Sequence, residues 1–242
     1  MYFYKASMNK KNKIAIITAR GGSKRIPNKN LKLFLGHPII KYSIDAAIKS
    51  KCFDEIMVST DCKDIANIAK SLGASVPFYR SEANSNDFAT INSTLCEVLA
   101  KHKEMGKIFE LCCCIFPAAP FITAQNLKNG MDTLIKHNAY STFPVTKYSY
   151  PVQRALKIEN NLLKMLYPEN NEKRSQDFDP TYHDTGQFYW LDVKQFIKER
   201  KIFSDKTVPI IIPEIEAQDI DNEEDWQIAE SKFKILRDLG RL

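Results

Sequence analysis

Acidic residues are missing from the first 44 positions of this 242-residue chain, where ten Lys or Arg stand unopposed. The remainder carries 25 basic against 29 acidic residues, so the formal charge of +6 is a local excess and not a property of the whole surface. Such a block suits a polyanion, and with no recognisable nucleic-acid module behind it a compact anion fits better than a nucleic acid. No apolar run approaches the roughly 20 residues of a transmembrane helix. Residues 1–12 are polar and basic and lack the apolar core of a signal peptide. A cytoplasmic chain with neither membrane nor nucleic-acid partner is therefore expected, and Met8 is an alternative start that would leave residues 1–7 as a tail. CxxC spacing is also missing: six cysteines at 52, 62, 96, 112, 113 and 114 fit no metal framework and read as reduced, buried small hydrophobes.

What is present is a rhythm. Short β-type runs alternate with runs of helical period, the pattern of an α/β fold with a mostly parallel sheet covered by helices on both faces. Strands are expected at 13–18, 55–59, 74–78, 109–116, 140–145, 187–191 and 208–212. Helical stripes fall at Ile40, Ile44, Ala47 and Ile48, at Ile91, Leu95, Val98 and Leu99, at Leu127, Met131, Leu134 and Ile135, and at Trp226, Ala229, Phe233 and Leu236. Asp61 is expected to cap a further helix that Gly73 stops. Residues 147–180 break the rhythm, being rich in Tyr, Pro, Asn and charge, and read as an inserted lobe.

With only eight glycines in the chain, the adjacent pair Gly21 and Gly22 stands out. They follow the first strand, where open α/β sheets bind ligands, and lie within Ala19-Arg20-Gly21-Gly22-Ser23-Lys24-Arg25-Ile26-Pro27-Asn28-Lys29-Asn30. Backbone N–H groups at the glycines can approach phosphate oxygens, Arg20 offers a planar fork, and Lys24 and Lys29 supply mobile point charges. The spacing is neither that of a Walker A loop nor of a dinucleotide fingerprint. A solvated basic loop is the plain alternative. Far along the chain, residues 214–225 hold seven acids and no base. There Asp219 and Asp221 alternate by two, so an extended segment would turn both carboxylates one way, towards a hard cation. Alternatively, Asp221 only caps the last helix.

The loop resembles that of the cytidylyltransferases that activate sialic acid and related keto-acid sugars, with an Ala-Arg-x-x-Ser-Lys stretch followed by Lys-Asn. The likeness continues through Val58-Ser59-Thr60-Asp61, through Arg80 and the polar segment ending at Asp87, through Phe116 to Phe121, and to Asp219-Ile220-Asp221. Within that family Pro-Val-Gln-Arg154-Ala-Leu, Arg174-Ser175-Gln176-Asp177 and residues 182–190 are most similar to the pseudaminic acid cytidylyltransferases.

The resemblance implies a three-layer Rossmann-like fold of the nucleotide-diphospho-sugar transferase type. It implies CTP and an acidic nine-carbon sugar as substrates, CMP-pseudaminic acid and pyrophosphate as products for surface glycan or flagellin glycosylation, Mg²⁺ as cofactor, and a homodimer whose subunits exchange the lobe at 146–185. Ala19, Arg20, Gly21, Gly22, Ser23, Lys24, Lys29, Asn30, Arg80, Asp87 and Thr90 are then assigned to the nucleotide, with Arg20, Lys24, Lys29 and Asp219 catalytic. Asp219 and Asp221 take the metal, and Arg154, Arg174, Gln176, Tyr182, His183, Gln187 and Tyr189 face the sugar. For Arg80 a surface ion pair with Glu82 competes with that role, and Phe188 and Trp190 read as core.

Two departures bear on the acceptor. The Pro-Thr-Ser-Pro-Leu-Arg stretch common in sialic acid enzymes stands here as Pro117-Ala118-Ala119-Pro120-Phe121-Ile122, and Phe116 precedes it where a polar residue is expected, which together suit a sugar with apolar substituents. Activation of sialic or legionaminic acid, transfer to a sugar 1-phosphate, and a non-catalytic nucleotide sensor or nucleic-acid binder remain alternatives.

Overall fold

The computed structural model describes residues 11–242, so the expectation about Met8 lies outside the described residues. The strands are β1 (Lys13–Thr18), β2 (Leu33–Phe34), β3 (His37–Pro38), β4 (Glu55–Ser59), β5 (Leu111–Ile115), β6 (Ser141–Lys147), β7 (Leu156–Glu159), β8 (Leu162–Met165), β9 (Tyr182–Asp184), β10 (Phe188–Asp192) and β11 (Thr207–Ile211). The helices are α1 (Ile40–Ser50), α2 (Lys63–Ser71), α3 (Ile91–Glu104), α4 (Ala124–Lys136), α5 (Val193–Glu199) and α6 (Glu223–Asp238).

A central sheet runs in the order β11-β6-β10-β5-β1-β4, with β9 paired on β6. β1 pairs in parallel with β4 and β5, while β10 is antiparallel to both β5 and β6. The sheet is mixed but mostly parallel, and the period-2 geometry of its strands divides the core into two layers. Ala15, Ile17, Cys113, Ile115, Phe188 and Trp190 pack beneath α1, α2 and α4, whereas Ile14, Ile16, Cys112, Cys114 and Leu191 pack beneath α3 and α5. The three consecutive cysteines thus fill both faces of one central strand. Burial pushes the Cys114 thiol up to about 12, which keeps it protonated and inert. All six cysteines are free, although Cys62 and Cys96 are only half buried.

A third apolar cluster places Trp226, Ala229 and Leu236 of α6 against Ile26, Phe34, Ile39 and Phe121. The last helix therefore braces the loop after β1. That loop returns through Asn28, which adopts a left-handed φ of 51°, and continues into the β2–β3 hairpin.

Three local expectations are corrected. Residues 74–78 form no strand: Ser75 alone bridges Met57, and Pro77, with no N–H, cannot extend the ladder. Asp61 does not cap α2; Cys62 stands at the cap, and Asp61 Oδ1 instead accepts the Gly21 N–H at 2.8 Å. Asp221 does not cap α6 either. Asn222 does, in a reciprocal box with Asp225, whose N–H donates to Asn222 Oδ1 at 2.9 Å.

Between β6 and β9 the chain makes short 3₁₀ turns and the β7–β8 hairpin, both strands of which lie largely in solvent. Among the described residues no helix is long and apolar enough to cross a membrane.

Candidate active site

Beyond the carboxyl ends of β1, β4 and β5 lies a cleft of about 360 Å³. Of the residues assigned to nucleotide or metal, Arg20, Ser23, Lys24, Lys29, Asn30, Arg80, Asp87, Thr90 and Asp219 line it. Ala19, Gly21, Gly22 and Asp221 do not. Ala19 is buried, its N–H donating to Ser59 O at 3.0 Å. The Gly21 N–H is directed into Asp61, and a Cβ at Gly21 would sit 2.9 Å from the Cys62 Cβ. The need for glycine there is thus close packing against α2, while Gly22 faces open space.

The loop's cations are met by carboxylates from elsewhere in the chain. Arg20 donates to Asp87 Oδ1 at 2.9 Å, and Lys24 pairs with the other oxygen of Asp87. Arg25, which carries no expected role, reaches Asp221 at 2.5 Å. Lys29 is half buried and donates to the Ile220 carbonyl; burial lowers its pKa, opposed by the charges of Asp221 and Asp219. Asp219 is shifted upward, first by burial and then by the neighbouring Asp221. A half-buried carboxylate beside a second carboxylate is a site that a divalent cation would relieve.

Arg80 is buried and does not pair with Glu82. Its Nε donates to Ser59 Oγ at 3.1 Å and its Nη2 to Ser59 O at 2.6 Å, while burial lowers its pKa against the field of Asp61. Asn30 is likewise buried and folds the loop back by donating to the Arg20 carbonyl at 2.9 Å. Thr90 Oγ1 accepts the Ser93 N–H at 3.0 Å as the cap of α3.

Phe116, Pro117 and Ala118 form the apolar wall of the cleft, and the Phe116 ring meets Tyr189 edge to face at 5.5 Å. Gly186 also lines the cleft, close to the Asp219 carboxylate. Asp184 organises this corner: its Oδ1 accepts the Gly186 N–H at 2.7 Å and its Oδ2 the Tyr189 hydroxyl. Burial and then Asp184 push the Tyr189 phenol upward, so it remains a donor. Gln187 is buried, donates to Glu216 O at 2.6 Å, and keeps its Oε1 unpartnered.

None of the residues assigned to the sugar lines this cleft: Gln187 and Tyr189 are buried behind its wall and do not open into it. Arg154, Arg174 and Gln176 are exposed on the segment between β6 and β9, where Arg174 pairs with Asp177 at 2.9 Å. Tyr182 and His183 line a separate apolar groove with Phe143, Phe203 and Ile211. Phe188 and Trp190 are fully buried core, Trp190 stacked on Phe53.

Sequence reasoning gave no role in the site to Arg25, Asp61, Asn84, Asn86, Thr94 or Asp184. Asp61, Asn84, Asn86 and Asp184 lie within stretches that carried the family likeness, and that proximity was the available signal. Thr94 enters the cleft only through the tertiary placement of the first turn of α3.

Residues 14–227 match the model of a family described as Cytidylyltransferase. A Campylobacter jejuni protein named pseudaminic acid cytidylyltransferase is 35% identical over 223 residues, covering 92% of this chain and 96% of that one. A Legionella pneumophila protein named CMP-N,N'-diacetyllegionaminic acid synthase is 33% identical over 225 residues, covering 92% and 96%. Among solved structures, CMP:2-keto-3-deoxy-manno-octonic acid synthetase complexed with CTP superposes with a TM-score of 0.69 at 14% identity, covering 93% of this chain and 99% of that one. At that identity the likeness speaks to the fold, which is thereby of the nucleotide-diphospho-sugar transferase type.

Proposed function

The chain belongs to the cytidylyltransferase family, and from that premise we propose that it transfers the cytidylyl group of CTP to pseudaminic acid, releasing pyrophosphate. The observation that carries the reading is the cleft itself: Arg20, Lys24 and Lys29 stand on one loop at the sheet's carboxyl edge, and Asp219 lines the same cavity. The anomeric hydroxyl of the sugar attacks the α-phosphorus, forming the new P–O bond and giving up its proton. The bond between the α-phosphorus and the bridging oxygen breaks, and pyrophosphate leaves in line. No covalent intermediate is needed, so positioning and charge neutralisation supply the rate.

Arg20, Ser23, Lys24 and Lys29 hold the phosphates, and Arg80, Asn30 and Thr90 flank the nucleoside. Asp219 and Asp221 would hold Mg²⁺. Among the described residues no group of three or more ligating side chains exists, so two carboxylates plus substrate phosphates are the donor set, which matches the preference of this ion. Bound there, Mg²⁺ supplies neutralisation of phosphate charge.

The acceptor reading rests on the wall of Phe116, Pro117 and Ala118, which favours an acidic sugar bearing methyl and acetamido groups over one richer in hydroxyls. Arg154, Arg174 and Gln176 lie outside the cleft of a single chain, which fits a homodimer in which each subunit offers its lobe to the other's site. Free thiols at all six cysteines fit a reducing cytoplasm.

The deciding experiment supplies CTP and Mg²⁺ with pseudaminic, legionaminic and sialic acids and a sugar 1-phosphate, and identifies the nucleotide sugar formed. Preference for pseudaminic acid is expected. Preference for another nonulosonic acid overturns the acceptor, and consumption of the sugar phosphate alone overturns the reaction.

A further inference from the structure

The stretch from Arg80 to α3 lines one side of the cleft through Asn84, Asn86, Asp87 and Thr90. Its base is fixed by Glu97 of α3, which accepts the Ser81 N–H at 2.9 Å and the Ser81 hydroxyl at 2.8 Å. Its tip is bonded to itself: Phe88 N–H donates to Asn86 Oδ1 at 2.9 Å, and Asn86 Nδ2 to Ala83 O at 3.0 Å. This built turn presents Asp87 to the phosphate loop. One carboxylate oxygen takes Arg20 and the other takes Lys24, while Arg20 also donates to the Asn86 carbonyl at 3.1 Å. Two oxygens of one anion spanning an arginine and a lysine is the arrangement that a phosphate group would adopt in the same place.

We infer that Asp87 is an internal counter-ion, occupying the phosphate-facing side of Arg20 and Lys24 in the free protein and displaced when the triphosphate enters. The inference deepens the nucleotide reading of this cleft and rests on it, but it moves Asp87 from ligand of the nucleotide to competitor for its anchors. Arg20 and Lys24 stay mutually aimed without a ligand, so less ordering remains to be done on binding. Each cation then gains from the triphosphate only the excess over a pairing already made.

The two roles for Asp87 predict opposite signs. Inorganic tripolyphosphate and CTP are titrated calorimetrically, without divalent metal, into the full chain, Asp87→Asn and Glu82→Gln, after melting curves establish that each variant is folded. Glu82 is an exposed carboxylate on the same stretch and reports the effect of net charge alone. Asp87→Asn is expected to bind both ligands about two- to fivefold more tightly, the range of one to two exposed ion pairs, with Glu82→Gln near the parent. Unchanged or weaker tripolyphosphate binding in Asp87→Asn overturns the proposal, as does equal tightening in Glu82→Gln. Loss of CTP affinity alone would return Asp87 to the nucleoside. If the parent binds tripolyphosphate yet forms no nucleotide sugar, the functional reading fails while the result for Asp87 stands.

Discussion

Arg25 and Asp221 form an ion pair at 2.5 Å that ties the basic loop after β1 to the segment entering α6. Asp221 is thereby drawn towards the basic loop, while Asn222, one residue on, takes over the helix cap. The acidic run that precedes α6 is divided between two tasks: Asp225 completes the capping box, and Asp219 and Asp221 face the loop's cations. Loop and acidic pair, some 190 positions apart in sequence, are held in register by this ion pair and by Lys29 on the Ile220 carbonyl.

Lys24 is the loop cation whose loss tests the phosphate site most directly. It is exposed and, among the described residues, its ion pair is with the Asp87 carboxylate, so Lys24→Ala leaves the core untouched. Removing one charge-assisted contact made in the transition state costs about 3 kcal/mol, or roughly 10²-fold in kcat. Pyrophosphate release under saturating CTP measures this, and full turnover in the variant would remove Lys24 from the site.

Asp219→Asn keeps shape and removes one charge of the acidic pair. Turnover should fall by about 10²-fold, and the Mg²⁺ concentration for half-maximal rate should rise, since one hard anionic oxygen is lost. A Mg²⁺ titration of both proteins decides. Intact activity with an unchanged Mg²⁺ requirement would sink the metal role.

Glu97 couples the cleft wall to stability and pH. Burial opposes its charge, but hydrogen bonds from Lys101, Asn84 and Ser81 outweigh that and hold its pKa at about 2, against an ordinary 4.5. Because the folded value lies below the unfolded one, the stabilisation is fully present above pH 4.5 and is lost as pH falls towards 2. With the side chain only 12% exposed, the contribution is on the order of 3 kcal/mol. Urea unfolding of the parent and Glu97→Gln should differ by that order at pH 7 and converge as the pH is lowered through the window. An equal gap at pH 7 and pH 3 would refute the assignment.

How much of this was legible in the sequence depends on the range of the interaction involved. β1 and β4 were expected at their observed limits, because a buried parallel strand is a local apolar run that needs no distant information. The missing strand at 74–78 hinged on Pro77, a local cue that the apolar pattern masked. Asp61 illustrates the other failure: a residue well placed to cap α2 instead serves Gly21, 40 positions earlier in the chain. The same holds for the site. Motif likeness located the loop and the acidic pair, but the pairing of Asp87 with Arg20 and Lys24 and of Arg25 with Asp221 depends on how loops cross in space.

The β7–β8 hairpin exposes Ile158 to 77% and, directly opposite it, Leu163 to 66%. An isolated two-stranded hairpin with bare apolar side chains is marginal in water, so contact with a second copy would account for it. Ile158→Asp places a charge in that patch without touching the central sheet. Light scattering should show a dimer for the parent and a shift to monomer for the variant, accompanied by loss of activity if the lobe completes the partner's site. A monomeric parent would remove the exchange of lobes from the proposed mechanism.

Gly130 lies on the inner face of α4, where an added Cβ would stand 2.8 Å from Trp190 Cδ1, 3.0 Å from Phe188 Cε2 and 3.1 Å from Ile210 Cδ1. Two terms oppose each other in Gly130→Ala. Helix propensity favours alanine by about 1 kcal/mol, whereas overpacking a close-fitted core costs about 1–3 kcal/mol. The neighbours decide the sign. Trp190 cannot retreat, because its indole N–H donates to Leu127 O at 2.9 Å and its ring is stacked on Phe53 at 4.9 Å. That puts the overpacking cost in the upper part of its range, about 2–3 kcal/mol, and leaves a net loss of about 1–2 kcal/mol, lowering Tm by roughly 2–8 °C for a domain of this size. A thermal melt in which Gly130→Ala matches or exceeds the parent would mean that the helix can lift from the sheet at Trp190.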